Sequence, residues 1–281
     1  MGSASNSSHV IAPASRMLHR GAPMARVIVV VPCYNEAARL PRGAFDGYDL
    51  PEHELSFLFV NDGSTDGTAA LLASMVEAKP ERYAMVELER NSGKAEAVRQ
   101  GMRRARADGA ELVAFWDADL ATPLAELAAF IAHMEEDAAR LVVMGARVRL
   151  LGRHIERHFY RHVYGRAFAT AVSRMLALPI YDSQCGAKLF RAGEELDFAL
   201  AEPFLSRWIF DVEILARLVV CTADTTPDLS QRIYELPLTL WRDVAGSKVR
   251  ATDALRAVRQ LAQIGLKYQA ALSVRHRRSG P

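Results

Sequence analysis

Long apolar runs are missing from the sequence, and cysteine is scarce. No stretch reaches the roughly 18 consecutive apolar residues that a membrane-spanning helix needs. The three cysteines among the 281 residues are widely spaced and form no C-x-x-C pair; they are Cys33, Cys185 and Cys221. This pattern argues against a disulfide framework or a zinc site and for a reducing compartment. We therefore expect a cytoplasmic protein, for which any membrane contact would be peripheral, on the cytoplasmic membrane face.

Charge of one sign is not in large excess. The formal net charge at pH 7 is only +2, so the chain lacks the basic field of a nucleic-acid-binding protein. The sequence also indicates no obligate protein partner. The basic residues are nevertheless concentrated in two regions. Seven arginines accompany a single acid, Glu156, between Leu141 and Arg174, and Asp253 is the only acid from Lys248 onward.

Glycine-rich nucleotide-binding loops are missing as well. The first strand-like segment, "RVIVVVPCYNE" at 26–36, contains neither G-x-G-x-x-G nor G-x-x-x-x-G-K-[ST]. A dinucleotide-dependent dehydrogenase and a P-loop ATPase are therefore disfavoured. A sugar nucleotidyltransferase could share the sheet, but the same strand lacks a glycine-rich entry loop.

The sequence does have a regular alternation of apolar strands and amphipathic helices. The segments "RVIVVVPC", "LSFLFVND", "LVAFW" and "RLVVMGA" are typical of strands, and "NSGKAEAVRQGMRRARADG" predicts a helix from about Gly93. This alternation predicts an α/β domain with a mostly parallel sheet and helices on both faces. The second half is less regular, and we expect a long helix at about 153–176.

Domain boundaries follow from composition. Residues 1–24 are rich in Ser, Ala and Pro and lack the apolar centre of a signal peptide, so they predict a disordered leader. Residues 25–248 form the predicted single domain. Residues 249–281 predict a basic amphipathic helix and tail, for which membrane contact and packing on the domain remain equally open.

Acidic residues follow three of the predicted strands. Glu36 follows the first, Asp62 ends the second, and Asp117 and Asp119 follow "LVAFW". In an extended segment, side chains at i and i+2 point the same way, so we expect Asp117 and Asp119 to lie side by side. A divalent cation would relieve their repulsion and could neutralise the diphosphate of a nucleotide. A single D-x-D is often only a pair of solvated loop acids, but its place in a series of acidic strand ends favours a metal site.

Four motifs in order resemble the family-two glycosyltransferases of GT-A fold. They are "VVPCYNE", "VNDGSTDGT", "NSGKAEAVRQGM" and "DADLATP". The later "YDSQCGAKLF", "RWIFDVEIL" and "WRDVAGSK" resemble the polyprenyl-phosphate branch of that family, within which they are most similar to the dolichyl-phosphate glucosyltransferases. The resemblance covers about residues 26–250 and is more specific for the fold and for nucleotide-sugar use than for the acceptor.

The resemblance implies roles for individual residues on the donor side. By similarity, Pro32, Tyr34 and Glu36 line the nucleoside pocket, and Asp62 meets the base. Asp117 and Asp119 match the D-x-D, which contacts the nucleotide and binds Mg²⁺ or Mn²⁺, with Asp119 as the principal ligand. The family segment that closes over the diphosphate is matched by Arg242, Ser247 and Lys248. Mannosyl relatives place a Gln where this chain has Ala121, which implies that phosphates and water supply more of the metal's ligands here.

The arginine-rich region fits an acceptor that carries a phosphate. Guanidinium groups match phosphate in charge and geometry, and by resemblance Arg147 and Arg161 receive the acceptor phosphate. Arg153 and Arg157 are better read as a solvated surface or as contacts to anionic lipid. The expected reaction is inverting transfer of a hexose, with glucose as the expected sugar, from a UDP-sugar to a polyprenyl phosphate. The alternative is a family-two enzyme that uses a soluble hydroxyl acceptor, with Asp182, Asp211 or Glu213 as its general base.

Overall fold

The structure is a computed structural model that describes residues 24–156, 159–243 and 251–278. The predicted leader, apart from Met24, lies outside the described residues, as do Ser247 and Lys248 of the predicted diphosphate segment. The side chain of Arg161 is also outside the described part, although its backbone lies in a helix.

Strands occupy both halves of the described chain. They are β1 (Arg26–Cys33), β2 (Glu54–Asp62), β3 (Tyr83–Leu88), β4 (Leu112–Trp116), β5 (Val142–Ala146), β6 (His154–Glu156), β7 (Ala187–Arg191), β8 (Ile233–Pro237) and β9 (Leu240–Arg242). The four strands expected from apolar runs are confirmed as β1, β2, β4 and β5.

Helices lie between most of these strands. They are α1 (Arg42–Gly47), α2 (Thr68–Ala78), α3 (Lys94–Ala107), α4 (Leu127–Glu135), α5 (Phe159–Leu176), α6 (Glu194–Leu200), α7 (Phe210–Cys221), α8 (Leu229–Arg232), α9 (Ala251–Lys267) and α10 (Gln269–Arg278). A short 3₁₀ turn, Leu124–Glu126, precedes α4.

Seven strands form one sheet in the order β3-β2-β1-β4-β7-β5-β8. Strand β7 runs antiparallel to both of its neighbours, β4 and β5, whereas the other pairs are parallel. The prediction of a mostly parallel sheet is therefore confirmed. Strands β6 and β9 form a separate two-stranded parallel ribbon.

The two faces of the sheet carry two apolar cores. Along β1, Ile28 and Val30 pack with α3, α5, α6, α7 and the C-terminal helices, whereas Val27, Val29 and Val31 pack with α1, α2 and α4. Because successive side chains of a strand point to opposite faces, a continuous apolar strand needs cover on both sides. The predicted two-sided layering is confirmed.

The helix expected at about 153–176 begins later, at Phe159. Residues 154–156 form β6 instead, where Ile155 pairs with Trp241 of β9 and is buried. Strand pairing has overridden the helical spacing of this segment. Arg153 therefore precedes a strand, and the prediction that the helix begins at about residue 153 was wrong.

The predicted C-terminal helix and tail are two helices, α9 and α10. Ile264 of α9 is fully buried and Leu272 of α10 is nearly so, both within the core on the α7 side of the sheet. Arg275 donates to both carboxylate oxygens of Asp228 at 2.8 Å and to the carbonyl of Ala177 at 3.1 Å. These helices are packed against the domain.

Within the described residues, no helix is both long enough and apolar enough to cross a membrane.

Helix α9 offers a matched pair of positions for a stability test. Ile264→Ala removes a fully buried side chain and should lower the free energy of unfolding by about 2 to 5 kcal/mol. Val258→Ala, on the same helix but 60% exposed, should change it by about 0.5 kcal/mol or less. Urea unfolding of both variants measures the difference, and equal small effects would mean that α9 does not belong to the core.

Candidate active site at the carboxyl edge of the sheet

The acidic pair lies in a turn directly after β4. The strand ends at Trp116, and the N–H of Leu120 donates to the carbonyl of Asp117 at 3.1 Å. The expectation that the acids lie in extended chain was therefore wrong. The indole N–H of Trp116 donates to the carbonyl of Thr122 at 2.7 Å, which fixes the far side of the turn. In addition to burial, the negative charge of Asp117 nevertheless raises the pKa of the Asp119 carboxyl, so the two acids lie close enough to repel each other.

Burial raises the pKa of the Asp119 carboxyl, and the negative charge of Asp117 raises it further. The N–H of Ala121 donates to one Asp119 oxygen at 3.0 Å, and this bond and the Lys94 ammonium act in the opposite direction. The charge of Glu36 adds a smaller increase. Asp119 is thus an acid whose ionised form would gain from a nearby cation.

Lys94, the first residue of α3, supplies positive charge to the pair. Its ammonium nitrogen lies 2.5 Å from an oxygen of Asp117. Burial alone would lower the pKa of Lys94, but the charges of Asp117, Asp211 and Asp119 outweigh that effect and raise it. Lys94 was not among the site residues predicted from the sequence. A cation at a helix N-terminus opposes the helix dipole, and that anomaly was the available signal.

Gly186 allows the Asp117 carboxylate to approach the backbone of the loop before β7. A Cβ added at Gly186 would lie 1.9 Å from an Asp117 oxygen, which no side chain can accommodate. The N–H of Asp117 also donates to the carbonyl of Gly186 at 2.9 Å. The acidic turn is therefore held between α3 on one side and the β7 loop on the other.

Asp62, at the end of β2, anchors the N-terminus of α3. Its two carboxylate oxygens accept the N–H groups of Ser92 at 2.7 Å and Gly93 at 2.8 Å. Burial raises the pKa of Asp62, although these two hydrogen bonds oppose the increase. Asp62 thereby positions Lys94, the next residue after Gly93, and its predicted contact with a base stays a prediction.

The other predicted nucleoside residues lie at the end of β1. Pro32 pairs with Val60 in the sheet register, and Tyr34 is partly buried just beyond the strand. Glu36 is buried and accepts two hydrogen bonds from Arg39, at 2.8 and 2.5 Å. The structure therefore brings the ends of β1, β2 and β4 to one edge of the sheet, as expected from parallel strands.

The predicted closing segment reaches the acidic turn through its backbone. The N–H of Arg242, at the end of β9, donates to the carbonyl of Ala121 at 3.1 Å, and the Arg242 side chain is exposed. The backbone of Arg242 thus contacts a residue two positions after Asp119, and the role of its side chain stays a prediction. Lys248 lies outside the described residues, and its assignment stays a prediction.

Arg147 follows β5 at the same edge of the sheet. Its guanidinium forms a bidentate ion pair with Asp182, at 2.6 and 2.8 Å, and lies 5.4 Å from the ring centre of Trp241. Burial opposes the charge on Arg147, but Asp182 outweighs it and raises the pKa of the guanidinium. Glu235 in turn accepts the N–H groups of Tyr181 and Asp182. Arg147 is therefore a fixed cation, permanently charged.

A second buried ion pair lies behind the acidic turn. Lys188 of β7 is 1% exposed, and its ammonium donates to Asp211 of α7 at 2.5 Å and to the carbonyl of Cys185 at 2.7 Å. Burial raises the pKa of Asp211, and the charges of Lys188 and Lys94 oppose the increase. Lys188 was not predicted from the sequence either, although a lysine inside the apolar strand "AKLF" signals a buried acidic partner.

The three carboxylates considered as general bases all have cationic partners. Asp182 pairs with Arg147 and Asp211 with Lys188. Glu213 is fully buried, and it accepts from Arg217 and from the hydroxyl of Tyr268, each at 2.9 Å. All three already accept charged hydrogen bonds within the protein, so binding a substrate hydroxyl would compete with those contacts, which disfavours these residues as bases.

Comparison with known proteins agrees with this arrangement. The profile of "Glycosyl transferase family 2" matches residues 28–194. A dolichyl-phosphate beta-glucosyltransferase from Dictyostelium discoideum is 29% identical over 254 residues, covering 85% of this chain and 74% of the relative. The enzyme of the same name from Saccharomyces cerevisiae is 28% identical over 262 residues, with 85% and 74% covered.

Solved structures agree at the level of the fold. Glucosyl-3-phosphoglycerate synthase from Mycobacterium tuberculosis, in complex with Mn²⁺, UDP and glucosyl-3-phosphoglycerate, superposes with a TM-score of 0.58. The sequences are 19% identical, and the match covers 87% of this chain and 80% of the synthase. This likeness confirms the predicted GT-A-like α/β fold.

The buried pair behind the turn can be tested through stability. Lys188→Met leaves the buried charge of Asp211 without its partner and should lower the free energy of unfolding by about 3 to 5 kcal/mol. Adding Asp211→Asn removes that unpaired charge and should restore most of the loss. Guanidinium unfolding of the single and double variants measures the coupling, and an equal loss in both would contradict it.

Proposed function

Because the chain belongs to glycosyl transferase family 2, and is therefore a glycosyltransferase, we propose that it transfers glucose from UDP-glucose to a polyprenyl monophosphate of the dolichyl or undecaprenyl type. The observation that carries the proposal is that the carboxylates of Asp117 and Asp119 and the guanidinium of Arg147 lie at one edge of the sheet. Asp117 and Asp119 would form the donor side of the site and Arg147 the acceptor side. The names of the curated relatives support the same donor sugar and acceptor.

On the donor side, the nucleoside would bind where β1 and β2 end. Pro32 and Tyr34 would form the wall of its pocket, Glu36 would lie at the ribose, and Asp62 would meet the base through lone pairs that Ser92 and Gly93 leave available. A carboxylate oxygen can accept more than one hydrogen bond, so anchoring α3 does not exclude this contact.

The acidic turn fits a divalent cation, Mg²⁺ or Mn²⁺, held jointly with the donor. No group of three or more His, Cys, Asp or Glu side chains in the described residues could hold a metal without help. Mg²⁺ characteristically binds through one or two carboxylates, substrate phosphates and water. Asp119 would be the main protein ligand, with Asp117 beside it. The cation, when bound, would neutralise the diphosphate and act as a Lewis acid.

The reaction would be a direct displacement with inversion at the anomeric carbon. An oxygen of the acceptor phosphate attacks the anomeric carbon. The bond between that carbon and the UDP oxygen breaks at the same time, and its electron pair leaves with UDP. Arg242 and Lys248 would stabilise the charge that develops on the departing diphosphate. Lys94 would hold Asp117 in position from the other side.

On the acceptor side, Arg147 and Arg161 would bind the phosphate. A phosphate monoester has a second pKa of about 6 and is largely ionised near neutral pH, so it needs no strong general base. This agrees with the pairing of Asp182, Asp211 and Glu213 with cations. A hydroxyl acceptor would instead have to lose a proton to one of these residues.

A lipid acceptor requires the protein to reach a membrane, and we place it peripherally on the cytoplasmic face. Arg256 and Arg259 of α9 are exposed, as are the apolar side chains of Val258 and Leu266. Basic residues near an anionic surface contribute about 1 kcal/mol each. About four or five of the basic residues from Lys248 onward would together suffice for reversible binding.

Product analysis tests the proposed reaction. The protein is incubated with Mn²⁺, UDP-glucose or GDP-mannose, and a short polyprenyl phosphate or a soluble alcohol, and the products are identified by mass spectrometry. We expect glucosylated lipid phosphate from UDP-glucose, with β configuration at the new linkage by NMR. Transfer only to the soluble alcohol would contradict the proposed acceptor, and transfer only from GDP-mannose would contradict the donor.

The metal assignment predicts the effect of Asp119→Asn. The amide has nearly the same shape but no charge, so turnover should fall by about 100-fold or more, and UDP binding should lose its sensitivity to EDTA. Asp49→Asn, an exposed acid at the opposite edge of the sheet, serves as the matched control and should retain full activity. Near-normal turnover by the Asp119 variant would show that the cation is bound elsewhere.

A further inference from the structure

A short turn after Arg147 presents two leucines to solvent. The N–H of Arg153 donates to the carbonyl of Leu150 at 3.1 Å, which closes the turn 150–153. Gly152, its third residue, has φ +78°, a left-handed conformation that favours glycine. The turn is therefore a defined backbone structure.

Both ends of this turn are anchored to the domain. On one side, the backbone N–H and the guanidinium of Arg147 donate to Asp182. On the other, the N–H of His154 donates to the carbonyl of Thr239 at 2.9 Å. The anchoring holds the tip of the turn at a fixed place beside the proposed acceptor site.

The side chains at the tip are apolar and exposed. Leu151 is fully exposed, at 104% of its reference area, and Leu150 is 49% exposed. No other large apolar side chain in the described ranges is as exposed as Leu151. Single exposed leucines are common on protein surfaces, but two adjacent leucines at the tip of an anchored turn form a protruding apolar point.

The charge around this tip is positive. Arg149 is exposed and Arg153 partly so, and the surrounding sequence from 141 to 174 contains seven arginines and one acid. An apolar tip between two arginines matches the layering of an anionic bilayer, in which phosphate headgroups lie outside the hydrocarbon. Arginine side chains can keep their charge at the headgroup level while apolar neighbours enter below it.

We propose that the turn at 149–153 inserts Leu150 and Leu151 into an anionic lipid bilayer, with Arg149 and Arg153 contacting the headgroups. The inference rests on the proposed lipid acceptor and specifies where the enzyme meets the membrane. The phosphate of a polyprenyl phosphate lies at the headgroup level. Leu150 and Leu151 lie three and four residues after Arg147. Their insertion would therefore place the Arg147 guanidinium at the headgroup level, where the acceptor phosphate lies.

Vesicle binding by a double variant tests the insertion. Full-length protein is sedimented with vesicles of phosphatidylcholine and phosphatidylserine. Leu150→Ser with Leu151→Ser should weaken binding by about tenfold or more, because both apolar contacts are lost. Phe198→Ser is the matched control: Phe198 is 48% exposed on α6, which begins near the opposite edge of the sheet, and its loss should leave vesicle binding unchanged.

Two further variants separate the leucines from the arginines. Arg149→Gln with Arg153→Gln should weaken binding to vesicles that contain phosphatidylserine and have little effect with phosphatidylcholine alone. Leu151→Trp should keep binding and show emission shifted to the blue on addition of vesicles, relative to the unmodified protein. Absence of that shift in a variant that still sediments would contradict insertion of the tip.

The outcomes distinguish this inference from the proposed reaction. Unchanged vesicle binding by the leucine double variant, or no binding by the unmodified protein at low salt, overturns the insertion even if lipid phosphate is glucosylated. A change from dimer to monomer in the double variant, without loss of vesicle binding, assigns the tip to a second copy of the chain and also overturns it. Leucine-dependent binding by a protein that glucosylates only soluble alcohol supports the insertion and contradicts the proposed acceptor.

Discussion

The contact between Lys94 and Asp117 connects the separate parts of the candidate site. Their charged atoms lie 2.5 Å apart, and both side chains are only partly exposed to solvent. Lys94 is placed by the end of β2, through Asp62, and Asp117 is placed by β4 and Gly186. One ion pair thereby joins the N-terminus of α3, which β2 holds through Asp62, to the turn after β4, which contacts the loop before β7 at Gly186.

This ion pair also changes the electrostatics of the acidic turn. Two carboxylates with one residue between them would repel strongly if both were unpaired. Because Lys94 already neutralises Asp117, Asp119 is left as the acid with most to gain from an added cation. The two aspartates of the motif are therefore unequal, and the structure gives a physical reason for the difference in their proposed roles.

Local sequence was sufficient to predict the parts of the fold that depend on local physics. Strands β1, β2 and β4 are apolar runs covered on both faces, and α3 has a regular apolar face, so each is visible without knowledge of its neighbours. Strand β3, "YAMVEL", was not anticipated because it lies at the sheet edge and is only partly buried. Strand β6 was taken for helix because its three residues are strand only through pairing with β9.

The candidate site was likewise predictable only where it depends on local sequence. Acids at strand ends could be named from sequence, since parallel strands bring their carboxyl ends together. The partners of the charged residues could not, because Lys188 and Asp211, or Arg147 and Asp182, are separated by more than 20 residues and meet only after the sheet has formed. The sequence could identify which positions carry charge, whereas the structure identified which charged residues form ion pairs with each other.

The position of β7 has a consequence for the order in which the site can be made. Strands β1 to β4 pair among themselves, so a nascent chain can assemble them early. Strand β5 has partners only in β7 and β8, both of which come later in the chain. A chain still attached to the ribosome and ending before residue 182 would carry Asp117 without Gly186 and Arg147 without Asp182. Synthesis must therefore pass β7 before the donor and acceptor sides can become parts of one sheet.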